Sequence, residues 1–367
     1  MVMAGSNERP TYEMVDMNMF GDGAVLRSFA NQVAYCAQNG APLTGRVLAG
    51  IGTVLASDAE GELLDRVRGW QGAPLADALP LRLTGGIHAL HLAGAAPSLG
   101  AIYRGEPADD AAVIAQVIAG HEAELLPWLD GPPQTNEAGR SANFIAAMLW
   151  LADKGLPPRF QCLEIGSSAG INLMLDRYAY DLGGVTVGPQ PAAMHLVPEW
   201  KGPPPPAQDI AIAATKGCDV APVDLTDPVQ ALRLKAYIWP EHTIRFERMD
   251  AAIRAAQERK PDLVKATAAD FVEAELARPQ ETGTTRVLMH SIVWQYVPAD
   301  QQARVMAAME AAGSRATPER PLAWVMVEAD RSVHRHKMTV RYWPGGEEEV
   351  QLTWSHPHGV DVEWLGA

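Results

Sequence analysis

The residues best suited to chemistry stand together at 160–178, FQCLEIGSSAGINLMLDRY. An apolar run at 160–165 reads as a strand carrying Glu164 near its end. Small residues follow (Gly166, Ser167, Ser168, Ala169, Gly170), and a helix is predicted near 170–180 with Asn172 in its first turn. Such a loop lets a ligand approach the backbone, and a helix start offers unpaired N–H groups and a positive dipole end. Strand ends of this kind are where open α/β sheets bind ligands. A dinucleotide fingerprint would place glycine at 168 and 171, where serine and isoleucine stand. A phosphate loop would close on Gly-Lys-Ser or Gly-Lys-Thr, which is absent. The competing reading is a structural strand–turn–helix corner.

A second predicted strand, 286–292, brings His290 and Ser291 to the same sheet edge. A histidine there suits general-base catalysis, and a hydrogen-bonded strand end is the alternative. The polar loop between Asp130 and Ser141 concentrates Gln134, Thr135, Asn136, Glu137 and Arg140. Asn136, Glu137 and Arg140 are candidates for the substrate side: Glu137 as amine ligand or base, Arg140 as a clamp on carboxylate or phosphate. The alternative is a loop that caps the helix at 139–152 and joins two helices by salt bridges. Asp270 follows a predicted strand at 262–267 and reads, by itself, as the N-cap of a helix at 271–276. Asp176 and Arg177 read as a surface ion pair. His334 with His336, and His356 with His358, make two His–x–His pairs. Pro357 interrupts the second, and neither pair has a cysteine or carboxylate at familiar ligand spacing, so no metal is expected.

The elements that position these groups fall into two regions. Residues 1–153 read as helical, with helices predicted at 23–38, 45–55, 61–70, 75–92, 109–129 and 139–152. A Gly/Pro-rich boundary opens residues 154–367. There, apolar runs at 160–165, 262–267, 286–292 and 322–327 alternate with helices near 170–180, 228–257 and 300–312. That alternation predicts an α/β domain with a mainly parallel sheet. Residues 188–206 read as a Pro-rich insertion, and 341–364 as antiparallel strands turning at Pro344-Gly345-Gly346.

A length of 367 residues, 47% of them hydrophobic, suits two structural parts and excludes a disordered or collagenous chain. The formal charge of −14 disfavours nucleic-acid and anionic-membrane partners. Three separated cysteines argue against a disulfide framework, no apolar stretch is long enough for a bilayer, and the first residues lack a signal-peptide pattern. The expectation is a soluble cytoplasmic protein; its oligomeric state is not legible.

From Glu164 to Asn172 the pattern acidic–apolar–Gly–x–x–x–Gly–x–Asn resembles the first motif of class I S-adenosylmethionine-dependent methyltransferases. Around it stand QTNEAGR at 134–140, LEIGSSAGINLMLDRYAYDLGG at 163–184, DVAPVDLTDP at 219–228, YIWPEH at 237–242 with Arg245, HSIVWQYVP at 290–298 and HPHG at 356–359. In order and spacing these look like one bacterial family known only as a domain of unknown function. The resemblance implies a Rossmann-like class I methyltransferase sheet with a helical N-terminal domain acting as a lid or substrate domain. It implies S-adenosylmethionine as cofactor and S-adenosylhomocysteine as its product. Glu164 would then serve the ammonium group, and Gly166, Ser167, Ser168, Gly170 and Asn172 the methionine end. A carboxylate after the second strand would meet the ribose hydroxyls. Both Glu199, after MHLVP at 194–198, and Asp219, in KGCDVAP, are eligible. Asp270 falls where the family reads the adenine amino group, and His290 and Ser291 fall beside the methyl group. The Asn-Pro-Pro-aromatic motif of amino- and nucleobase-directed enzymes is missing, which leaves an unidentified small molecule as acceptor. A non-catalytic binder of the cofactor, or another enzyme on the same fold, are the competing functions.

Overall fold

The structure is a computed structural model describing residues 19–21, 23–333 and 335–366. His334 and the signal-peptide reading at the amino end fall outside the described residues. By contact the chain forms two units, Met1–Thr135 with Leu232–Phe246, and Asn136–Ala231 with Glu247–Ala367. Helix Ser141–Asp153, placed by the sequence with the helical region, groups with the second unit.

The first unit is helical. Helices Ala24–Gln38, Pro42–Ala56, Leu79–Leu92 and Asp110–Gly120 bury apolar side chains, among them Phe29, Leu48, Ile51, Leu83 and Ile87. Full burial of one such side chain contributes about 1.5–3 kcal/mol. Asp109 caps its helix by accepting from the Ala112 N–H at 3.1 Å. Residues 232–246 join this unit partly through Glu241, which accepts from the N–H groups of Leu43 (2.6 Å) and Thr44 (3.0 Å) at the start of the Pro42 helix. The single helix expected over 228–257 is two, Pro228–Ala236 and Thr243–Glu258. Pro240 lies between them, and a proline in a helix interior removes a backbone donor and clashes with the preceding turn.

The second unit is mixed α/β around a nine-stranded, mostly parallel sheet. Its strands, with those of a smaller sheet, are β1 (Arg159–Ile165), β2 (Tyr178–Leu182), β3 (Val185–Val187), β4 (Met194–Leu196), β5 (Glu199–Lys201), β6 (Ala211–Asp219), β7 (Leu263–Lys265), β8 (Thr285–Ser291), β9 (Leu322–Asp330), β10 (Arg335–Trp343), β11 (Gly346–Ser355) and β12 (Asp361–Trp364). The large sheet runs β5-β12-β11-β10-β9-β8-β1-β6-β7, and the small one β3-β2-β4. Strands β7, β6, β1, β8 and β9 are parallel, whereas β9 to β12 form an antiparallel meander turning where Pro344 and Gly345 were expected to turn it. The chain steps from β1 out to β6 and β7, then crosses back to build β8 and β9. The carboxyl ends of β1 and β8 therefore flank a topological switch point, the place where open α/β sheets take ligands.

The two faces of this sheet carry different side chains. Leu163, Ile165, Leu288 and Trp324 share a core with Phe271 and Val272 of helix Ala268–Ala277 and Val305 and Met309 of helix Ala299–Gly313. Strand alternation puts His290 on this face and Glu164 on the other.

The helix expected over 170–180 is not formed. A 3-10 turn, Asn172–Arg177, leads directly into β2. The buried Tyr178 and Tyr180 explain the change: their hydroxyls donate to the carbonyls of Ile171 (2.9 Å) and Leu175 (3.1 Å), closing the short turn. A turn this short has no dipole end of the kind a long helix offers to an anion.

Candidate functional site

Glu164, almost the last residue of β1, is 1% exposed. Its Oε1 accepts from Asn172 Nδ2 at 3.1 Å, and Ser167 Oγ donates to its carbonyl at 3.0 Å. Oε2 is buried and has no hydrogen-bond partner. Burial pushes the carboxyl up to about 7, against the opposing pull of the Asn172 and Ser167 hydrogen bonds and of Arg140. Asn172 Oδ1 and Ser168 Oγ are also buried without partners. The loop therefore holds three unmet polar atoms, each of which costs free energy unless a ligand or water meets it.

The backbone of the loop is tied to the neighbouring strand. Asp219, at the end of β6, accepts from the Ser168 N–H through Oδ2 and from the Ala221 N–H through Oδ1, both at 2.8 Å. Gly166 and Gly170 have φ of +65° and +71°, as a loop needing left-handed residues requires. Their missing side chains, read from the sequence as room for a ligand, make room for the protein itself. A Cβ at Gly166 would lie 2.2 Å from Val293, and one at Gly170 2.9 Å from Pro261.

The polar loop meets the glycine loop directly. Asn136 Oδ1 accepts from the Ile171 N–H at 2.9 Å. Glu137 Oε1 accepts from the Gly139 N–H at 3.3 Å and from Arg248 Nη1 at 3.2 Å, while the same Arg248 nitrogen donates to His358 O. Arg140 Nε donates to Pro357 O at 2.8 Å, and a Cβ on Gly139 would lie 2.6 Å from His358 O. Residues 136–140, 163–172 and 356–359, from stretches that stand apart in the sequence, thus pack into one place. Glu137 thus caps the short turn Ala138–Arg140 and pairs with Arg248 of helix Thr243–Glu258.

His290 is fully buried, with Nδ1 2.7 Å from Glu328 Oε1. The same oxygen accepts from the N–H groups of Val293 (3.1 Å) and Trp294 (3.2 Å). The imidazole stacks on Trp294 at 5.2 Å, and its Nε2 is buried without a partner. A carboxylate oxygen accepts, so Nδ1 is the donor in this contact and Nε2 is the ring nitrogen left for another group. Ser291, 8% exposed, turns to the Glu164 face. Sequence reasoning missed Glu328; the available signal was a lone acid two residues after Met326, the residue paired with His290.

Two other candidates stand apart. Glu199 lies in β5 at the far edge of the sheet, exposed and 3.5 Å from Lys201, so only Asp219 neighbours β1. Asp270 is exposed and paired with Arg304 at 2.8 Å, which lowers its pKa. The N-cap of its helix is Thr267, which accepts from the Asp270 N–H, so the cap assigned to Asp270 is corrected. Asp176 pairs mainly with Arg259, while Arg177 donates to the carbonyls of Ala255 and Arg259. Among the described residues no three His, Cys, Asp or Glu side chains cluster as metal ligands. No described helix is long and apolar enough to cross a membrane.

A family model described as an uncharacterized protein conserved in bacteria (DUF2332) matches residues 26–364. No curated protein and no solved structure matches the chain. Since the match takes in the polar loop, the glycine loop, the His290 strand and the 356–359 turn alike, the chain belongs to this conserved bacterial family, DUF2332.

Proposed function

We propose that the chain is an S-adenosylmethionine-dependent methyltransferase of Rossmann-like type acting on a small molecule. The carrying observation is Glu164 Oε2, buried and unpartnered beside a glycine loop at the switch point of the sheet. Leaving such an oxygen unmet costs about 1–3 kcal/mol, and an α-ammonium group would relieve it. Asp219 is the carboxylate assigned to the ribose hydroxyls, since each of its oxygens accepts one backbone N–H and keeps a lone pair. These residues fit the ammonium and ribose ends of the cofactor. Bound S-adenosylmethionine would supply a methyl group on a sulfonium that departs without acid assistance. The chain must then align the acceptor and, for an O–H or N–H acceptor, take up its proton. We assign that proton to His290 Nε2, with Glu328 fixing the ring. Asn136, Glu137 and Arg140, held by the glycine loop, Arg248 and the 356–359 turn, are assigned to shaping the acceptor side.

Isothermal titration of protein freed of copurified ligand, with S-adenosylmethionine and S-adenosylhomocysteine, tests this reading. Saturable binding is expected; folded protein that binds neither at about 1 mM, a Kd weaker than about −4 kcal/mol would give, rejects it. A second reading, a binding protein without turnover, draws on Val293 filling the Gly166 side of the loop. Binding with no methyl transfer to any component of a metabolite extract favours that reading.

A further inference from the structure

At the end of the sheet opposite the glycine loop, β8 and β9 begin. A cavity of about 130 Å³ lies there, lined by Arg278, Arg286, Arg315 and Arg320 with Gln280 and apolar side chains. None of the described lining residues is acidic, in a chain whose formal charge is −14. Arg286 forms the buried wall, 3% exposed, and donates only to neutral oxygens. These are Gln161 Oε1 at 2.9 Å and the carbonyls of Glu275, Arg278 and Pro279 at 3.1 Å. Glu275, whose charge reaches Arg286, is shared between Lys216 at 2.9 Å and Arg278 at 3.4 Å. Arg320 spends two donors on Gln280 O (3.1 Å) and Thr282 Oγ1 (2.6 Å). Among the described residues no hydrogen bond or ion pair engages the Arg315 side chain.

Four guanidinium groups repel one another around so small a space, and Glu275, itself shared with Lys216, offsets them only in part. A tetrahedral oxyanion suits this geometry: the unengaged Arg315 fork can bind two of its oxygens as a pair, while the remaining donors and the charge of the other three guanidinium groups face it from other sides. A space of about 130 Å³ admits several waters, and so one phosphate group. Arg278, Arg315 and Arg320 are exposed at the rim, so the remainder of an ester can stay outside. We propose that this cavity is a binding site for a single phosphate group, either inorganic phosphate or the head of a small phosphate monoester.

Isothermal titration of the full chain with inorganic phosphate and, separately, with glycerol phosphate, at ionic strength held by sodium chloride, tests it. Saturable one-site binding is expected for at least one of them. Binding of phosphate alone identifies the free anion, and tighter binding of glycerol phosphate identifies the ester. Arg315→Ala should weaken binding about tenfold and Arg315→Glu should abolish it, as loss and reversal of a charge-assisted contact predict. Arg315 is exposed, so both variants keep the fold, which the melting temperature without phosphate verifies. Absence of saturable binding of either anion up to about 10 mM, or unchanged affinity in Arg315→Glu, overturns the proposal.

Discussion

His290 Nδ1 lies 2.7 Å from Glu328 Oε1, and that single oxygen also accepts the N–H groups of Val293 and Trp294. One carboxylate therefore holds Nδ1 of the histidine and the course of the loop beyond it. Val293 carries the arrangement further, because its side chain fills the space beside Gly166. The histidine on one face of the sheet and the glycine loop at its end are joined through this residue.

Glu328→Gln should keep the shape of the pair and remove its charge. With S-adenosylmethionine and an identified acceptor, we expect turnover to fall by about 10²-fold or more with cofactor affinity unchanged. Before the acceptor is known, nitrogen NMR of the ring reads the same change: His290 should pass from one tautomer to a mixture. A single unchanged tautomer removes Glu328 from the positioning role.

Glu164 makes stability and binding depend on pH in opposite senses. Its folded pKa, about 7, stands above the ordinary 4.5, so the folded state favours the neutral acid. The associated stability is complete below about 4.5 and is lost as pH rises through about 7. Glu164→Gln should remove this dependence, gaining up to about 3 kcal/mol on the wild type between pH 4.5 and 8 in denaturant titrations. An ammonium ligand needs the ionised form. Its affinity for the wild type should therefore fall up to tenfold per unit below pH 7, a slope the variant should lack. Parallel pH profiles for the two proteins would contradict both statements.

Gly166→Ala should cost about 3 kcal/mol, about 1–2 from the left-handed backbone and the rest from the clash with Val293. Val293→Ala in the same chain should return the part of the clash made by the two Val293 methyl groups, and leave the backbone part with the residual contact to Cβ of residue 293. A double-mutant cycle measured by urea unfolding gives the coupling, and additive effects would show that the two residues do not touch.

Asn136→Ala leaves the buried Ile171 N–H without its acceptor and should destabilise the protein by about 1–3 kcal/mol. Asn136→Asp, which keeps an acceptor, should recover most of that. Glu199→Ala and Asp270→Ala, both exposed, should leave cofactor affinity unchanged in the same titration. A large loss at Glu199 would move the ribose assignment away from Asp219.

Strands β1, β8 and β9 and the antiparallel tail were legible because each is a run of apolar or alternating residues bounded by turns. The expected helix after Gly170 was not, since Tyr178 and Tyr180 are compatible with a helix until tertiary burial aligns them in β2. Spacing left Glu199 and Asp219 equal, because the small sheet and β5 are inserted between β1 and β6. The pairing of β5 with β12, which carries Glu199 to the far edge, joins residues remote in sequence. No local pattern marks Glu328, which meets His290 only across the β8–β9 pairing, two residues beyond Met326. The glycines were legible as a loop, but that Val293 and Pro261 occupy the space beside them depends on contacts no local pattern reports.

The first unit draws on residues 232–246 as well as on the amino-terminal stretch, and Glu241 supplies acceptors for the opening turn of the Pro42 helix. During synthesis this helical unit waits for residues 232–246 before its last acceptors emerge from the ribosome. The nascent amino-terminal segment must spend that interval with open backbone donors and an incompletely covered apolar face, the circumstances in which chaperone binding has most to offer.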